Sequence, residues 1–88
     1  MWSEVSPDPV VELVRTLAKA LVDFPRDVKV REVGGMAGVV IEVEVHPQDV
    51  GKIVGRQGAN AEALRTLVKA AGGKQHKRYT LIILDERS

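Results

Sequence analysis

The sequence predicts an α+β domain, a small mixed sheet with three helices on one face, and three observations carry that expectation. Apolar residues from Val10 to Leu21 recur at helical spacing. Two valine-rich runs, 28–33 and 39–45, alternate apolar with polar residues around a glycine-rich turn. A second helical pattern from Pro47 to Ala71 is interrupted by glycines and followed by one more apolar run, YTLIIL at 79–84. Helix, hairpin, paired helices and strand give the order α-β-β-α-α-β, which closes as a two-layer sandwich.

Taken in order, residues 1–7 read as a flexible tail, with Trp2 as a packing contact, and residues 8–86 as a single domain. Ser6 or Asp8 suits a helix N-cap and Pro9 the first turn. Val10, Leu13, Val14, Leu17, Ala18 and Leu21 form one stripe, predicting a helix over 9–22 that buries it. Asp23, Phe24 and Pro25 end the helix, and Phe24 is expected to plug the base of the core. In the hairpin, Lys29 and Arg31 lie on polar faces opposite Glu42 and Glu44, as cross-strand ion pairs do. Reading the two glutamates as catalytic requires an acid–base partner that no neighbouring residue supplies.

Pro47 opens a short helix in which Val50, Ile53 and Val54 face inward. Asn60 is the candidate cap of a helix over about 59–71, with Ala61, Leu64, Val68 and Ala71 buried and Gly72-Gly73 as its stop. The two-helix crossover predicts that the second and third strands are parallel neighbours. In the last strand Ile82 and Leu84 point opposite to Tyr79, Leu81 and Ile83. They would leave apolar side chains on the open sheet face, as a self-association surface or as a patch shielded by the tail.

Composition narrows the function. The 88 residues contain no cysteine, which excludes a disulfide framework and a thiolate metal site. The two histidines, His46 and His76, make a poor metal set without a clustered carboxylate. No cofactor is expected. No apolar stretch approaches the roughly 18 residues that span a bilayer, and no leader pattern opens the chain, so a soluble cytoplasmic protein is expected. The net charge of +1 hides an asymmetry: residues 1–50 carry five basic and nine acidic side chains, whereas residues 51–78 carry seven basic and one acidic. The basic block favours an anionic partner.

Within that block lies VGKIVGRQGANAEALRTLVKAAGG, residues 50–73, with Gly51, Gly55 and Gly58 at its turn. Its G-x-x-x-G-x-x-G spacing between two helical patterns matches neither the phosphate-cradling loop of nucleotide-binding proteins nor the dinucleotide turn. No serine or threonine has a general base beside it, and no enzyme is expected. A helix–turn–helix with Gly55-Arg56-Gln57-Gly58 at the turn instead presents backbone N–H groups at a helix start, where a phosphate is favoured. Glycine at both ends admits a sugar–phosphate backbone. Arg56 adds a charged contact, Gln57 a neutral one, and Lys52 extends the path. Ile53 and Val54 contribute apolar surface beside it.

These residues resemble the I-G-x-x-G signature of the KH domain, and the element order resembles its type II, bacterial form. LVDFPRDVKVREVGG, HPQDVGKIVGRQG and AEALRTLVKAA are similar to the small single-domain KH RNA-binding proteins of the KhpA family. The resemblance implies that Gly55, Arg56, Gln57 and Gly58 clamp the backbone of single-stranded RNA. It adds Ala59, Asn60 and Arg65 to the binding surface, beside a groove bordered by the flanking helices and the central strand, 39–45. It also implies a homodimer, or a heterodimer with a larger KH-containing protein, in RNA chaperoning and regulation. Two alternatives accompany it: a protein-interaction subunit in cell-envelope growth and division, and a ribosomal RNA maturation factor. Ala59 replaces a residue often basic in such proteins, Ala61 one often bulky and aliphatic, and the expected groove has no aromatic. The expected binding is therefore weak and permissive.

Overall fold

The first helix of the computed structural model, which describes residues 8–35 and 38–84, is α1 (Pro9–Leu21). Asp8 caps it by accepting from the Val10 amide at 2.9 Å, with Pro9 in the first turn. Residues 1–7, including Trp2 and Ser6, lie outside the described residues, as does the far boundary at 86. The buried face of α1 is Val10, Val11, Val14 and Ala18; Leu13 and Leu21 are each 37% exposed. The expected stripe is thus rotated toward Val11. A period of 3.6 accommodates either set, and the close packing against a strand and a second helix selects the short branched side chains.

Phe24 does not plug the core. It is 42% exposed, its ring stacked on His46 with centroids 4.3 Å apart. The backbone explains this: the amides of Asp23 and Phe24 donate to the two carboxylate oxygens of Asp49 at 3.2 and 3.0 Å. Asp49 is fully buried, and it pins the chain so that the Phe24 side chain projects outward. Residues Pro25–Asp27 then form a single 3-10 turn into the sheet.

Strands β1 (Lys29–Gly35) and β2 (Gly38–Glu44) pair antiparallel, and β3 (Tyr79–Ile83) joins β2 in parallel, so β2 is central in a β1-β2-β3 sheet. Val28, Val30, Ile41, Val43, Tyr79 and Leu81 are buried on the face carrying the helices. On the opposite face Arg31 meets Glu42 at 2.6 Å and Lys29 meets Glu44 at 3.9 Å, as the register requires. Val33 and Ile82 are exposed on that same face, with Val40 and Leu84 half-buried. His46 caps the 3-10 turn Pro47–Asp49, its Nδ1 accepting from the Gln48 amide at 3.0 Å.

Two helices connect β2 to β3: α2 (Val50–Val54) and α3 (Ala59–Lys74). Gly72 and Gly73 do not stop α3. Gly72 is buried inside it, and a Cβ there would sit 2.7 Å from the Tyr79 ring, so glycine serves close approach. The stop is His76, in the left-handed region at φ 58. Its amide donates to the Gly73 carbonyl at 3.2 Å and that of Lys77 to the Gly72 carbonyl at 3.0 Å. That pair of bonds is a Schellman closure, with histidine at the position glycine usually takes. No helix among the described residues is long and apolar enough to cross a membrane.

Candidate nucleic-acid interface

The turn between α2 and α3 is built from left-handed backbone. Gly55 has φ 81, Gln57 φ 55 and Gly58 φ 78. The two glycines are held for different reasons. A Cβ on Gly55 would lie 2.7 Å from the Asn60 amide nitrogen, whereas one on Gly58 would meet nothing within 4 Å. Asn60 is not a cap: its Nδ2 donates to the Lys52 carbonyl at 2.8 Å, tying the start of α3 to α2. The amides of Gly58 and Ala59 donate to the carbonyls of Gly55 and Arg56, so neither is a free donor of the kind expected at this helix start. What reaches solvent at the tip is the side chains of Arg56, Gln57 and Ala59.

Two residues near the turn face elsewhere. Ile53 is completely buried, and its side chain belongs to the core. Lys52 lies half a turn from Val50 and Val54 and reaches back to Asp23, Nζ to carboxylate 3.0 Å. The hydrogen bond and charge of Asp23 raise the Lys52 pKa above its ordinary value. The inward side of Ile53 follows the helical spacing, whereas the placement of Lys52 follows from its contact with Asp23 after α1, which no local pattern in residues 50–58 reveals.

Val50, Val54, Gln57, Gly58, Ala61, Glu62, Arg65 and Ile83 line a groove of about 470 Å³ beside the tip. It continues into a second hollow of about 310 Å³, sharing Glu62 and Arg65 and adding Lys69, Tyr79, Thr80 and Leu81. The resulting cleft runs between α3 and β3. It is therefore bordered by the edge strand and not by the central strand 39–45. β2 is paired on both edges and covered by helices on one face, so the strand backbone beside the cleft is the outer edge of β3. The bonds Val39 N–H to Arg78 O and Leu84 N–H to Val43 O, both 2.9 Å, set the phase of β3. With that phase, the backbone groups of Tyr79, Leu81 and Ile83 point away from β2, toward the cleft.

The sequence pattern gave no sign of an aromatic residue here. Tyr79 lines the far part of the cleft, but it is only 8% exposed and its hydroxyl donates to Asp8 at 2.6 Å. Burial, then the hydrogen bond and charge of Asp8, push its pKa up to about 12. Tyr79 is a strut and offers no stacking face. Glu62 and Lys69 are likewise absent from the expected surface, although Glu62, Arg65 and Lys69 share one side of α3 by their i, i+3, i+7 spacing.

Comparison with known proteins bears on this architecture. The family described as KhpA/KhpB, KH domain, matches residues 11–83, from α1 through β3. The chain belongs to the KhpA/KhpB KH-domain family. Among its relatives, the RNA-binding protein KhpA of Caldanaerobacter subterraneus is 52% identical over 73 residues, covering 83% of this chain and 97% of the relative. That of Clostridium perfringens is 48% identical with the same coverage. That of Aquifex aeolicus is 46% identical over 74 residues, covering 84% of this chain and 94% of its own. No solved structure gives a significant match. The KhpA/KhpB match includes the whole of the α2–α3 turn and both walls of the cleft.

Proposed function

We propose that this KH domain binds single-stranded RNA in the cytoplasm, with the Gly55–Gly58 turn against the phosphate backbone and the bases laid along the α3–β3 cleft. The observation that carries the reading is the position of the exposed Arg56-Gln57 tip at the mouth of a cleft walled by Arg65, Lys69 and a strand edge. The left-handed turn brings backbone to the surface, and a basic side chain at its tip neutralises phosphate. The relatives' name, RNA-binding protein, agrees with it. In this reading Val54, Gly55, Arg56, Gln57, Gly58, Ala59 and Arg65 form the contact surface. Lys52 and Asn60 support it from behind, and Ile53 acts only through the core.

Replacing Arg56 and Gln57 together with aspartate tests the clamp. Both are exposed, so circular dichroism should show an intact fold. Affinity for a short single-stranded RNA should fall at least about tenfold, and the salt slope should become shallower by roughly 0.7 for each phosphate no longer neutralised. Unchanged binding by the folded variant would remove the turn from the interface.

The exposed Val33 and Ile82, beside Val40 and Leu84, favour a second, compatible reading in which the open sheet face joins another copy or a larger KH-containing partner.

A further inference from the structure

The basic block 51–78 contains one acidic residue, Glu62, and that residue lies in the cleft. It lines both hollows, as does Arg65 one turn further along α3. Residues three apart on a helix have Cβ atoms about 5–6 Å apart, close enough to pair with one another. Among the described residues, however, neither the Glu62 carboxylate nor the Arg65 guanidinium makes a hydrogen bond or ion pair. Two opposite charges thus stand side by side in a cleft, without a side-chain partner among the described residues. Across from them runs the outward backbone of Leu81 and Ile83.

A carboxylate in this position conflicts with a phosphate and suits a base. Phosphate beside Glu62 meets like charge at short range, which favours the backbone at the Arg56-Gln57 tip and turns the bases inward. A carboxylate accepts from an amino group, and a guanidinium donates to a ring nitrogen or carbonyl oxygen. Cytosine and adenine present an amino donor next to a ring-nitrogen acceptor, which matches the Glu62–Arg65 pair. Guanine offers two N–H donors to the carboxylate and O6 to the arginine. Uracil has a single N–H between two carbonyls, so a carboxylate close to that edge faces at least one acceptor.

We infer that Glu62 and Arg65 are a base-reading pair that selects nucleobases with an exocyclic amino group over uracil. The inference rests on the RNA-binding reading above and adds to it a selectivity and the residue that sets it.

The test compares labelled eight-nucleotide RNAs by fluorescence anisotropy: all cytidine, all uridine, and a mixed sequence. The two homopolymers are both pyrimidine strands and differ in the base edge, C4 amino against C4 carbonyl. The parent should prefer the cytidine strand by about tenfold, the order expected of one good side-chain contact to a base edge. Glu62→Gln offers a donor as well as an acceptor in nearly the same shape, and it should narrow the preference to about twofold. The mixed strand should bind the variant as well as or better than the parent, since a negative charge is gone. An equal ratio in parent and variant overturns the pair, as does a parent that binds the mixed strand but does not discriminate cytidine from uridine; both leave RNA binding standing. A folded parent that binds none of the three overturns the RNA reading and this inference with it.

Discussion

Tyr79 and Asp8 are 71 positions apart, and their hydrogen bond joins the cap of the first helix to the strand that walls the cleft. The Asp8 carboxylate accepts from both the Val10 amide and the Tyr79 hydroxyl, so one buried acid serves as helix cap and tertiary anchor. Tyr79→Phe removes a charge-assisted hydrogen bond to that buried acid, and a loss of about 2 kcal/mol at neutral pH is expected in urea denaturation. The same contact sets an alkaline limit. An unfolded tyrosine ionises near pH 10, whereas the folded one holds its proton to about 12. In that interval the folded state binds more protons than the unfolded state, so stability falls as pH rises. Urea midpoints measured from pH 9 to 12 should show this decline in the parent, and it should be weaker in Tyr79→Phe. Equal declines would place the alkaline sensitivity elsewhere.

The α2–α3 turn is the element on which the proposed function depends, and its two glycines make separable predictions. Gly55→Ala combines a positive φ with a Cβ driven against the Asn60 backbone, which cannot move without shifting the start of α3. Strain and overpacking together should cost about 3 kcal/mol. Gly58→Ala has open space and meets only the strain of the left-handed conformation, about 1 kcal/mol. Chemical denaturation of the two variants distinguishes these costs, and equal losses would contradict the close approach at Gly55. A motif reading treats the two glycines as equivalent, because both belong to the same G-x-x-G. Their difference comes from Asn60, whose side chain crosses the turn to the Lys52 carbonyl. The end of α3 shows the same limit. Gly72-Gly73 resembles a stop in sequence, yet the helix needs Gly72 to fit the Tyr79 ring and ends on His76 instead.

For the whole molecule, the sheet separates two surfaces. The cleft lies at the β3 edge among basic residues. On the open face the ion pairs are flanked by Ile82 and Leu84 on the β3 side, and the paired Val33 and Val40 lie beyond them. If these apolar residues join copies of this chain, the Ile82→Lys, Leu84→Lys variant should sediment as a monomer at concentrations where the parent associates. Its RNA affinity per chain should stay within about twofold, because neither substituted side chain lies on the cleft side of the sheet. A variant that still associates, or a parent that is monomeric throughout, would remove this face as an interface.

The order of elements, the hairpin and its ion pairs, the parallel crossover and the position of the turn were all legible in the amino-acid sequence. Each of these depends on short-range periodicity or on glycine and proline chemistry, which neighbouring residues express without help from the rest of the fold. Which residues of those elements face what was set by tertiary packing. Val11 replaced Leu13 in the core because two neighbours press on α1, and Phe24 turned outward because Asp49 holds its backbone. Lys52 left the turn for Asp23, and the cleft formed at the edge strand because the central strand had no accessible edge. Long-range partners set these outcomes, and the distance in sequence between Asp8 and Tyr79, or Phe24 and Asp49, hides them from any local pattern. The placement of Glu62 beside Arg65 lies between the two cases: its helical spacing was legible, but the cleft in front of it exists only because α3 lies against β3.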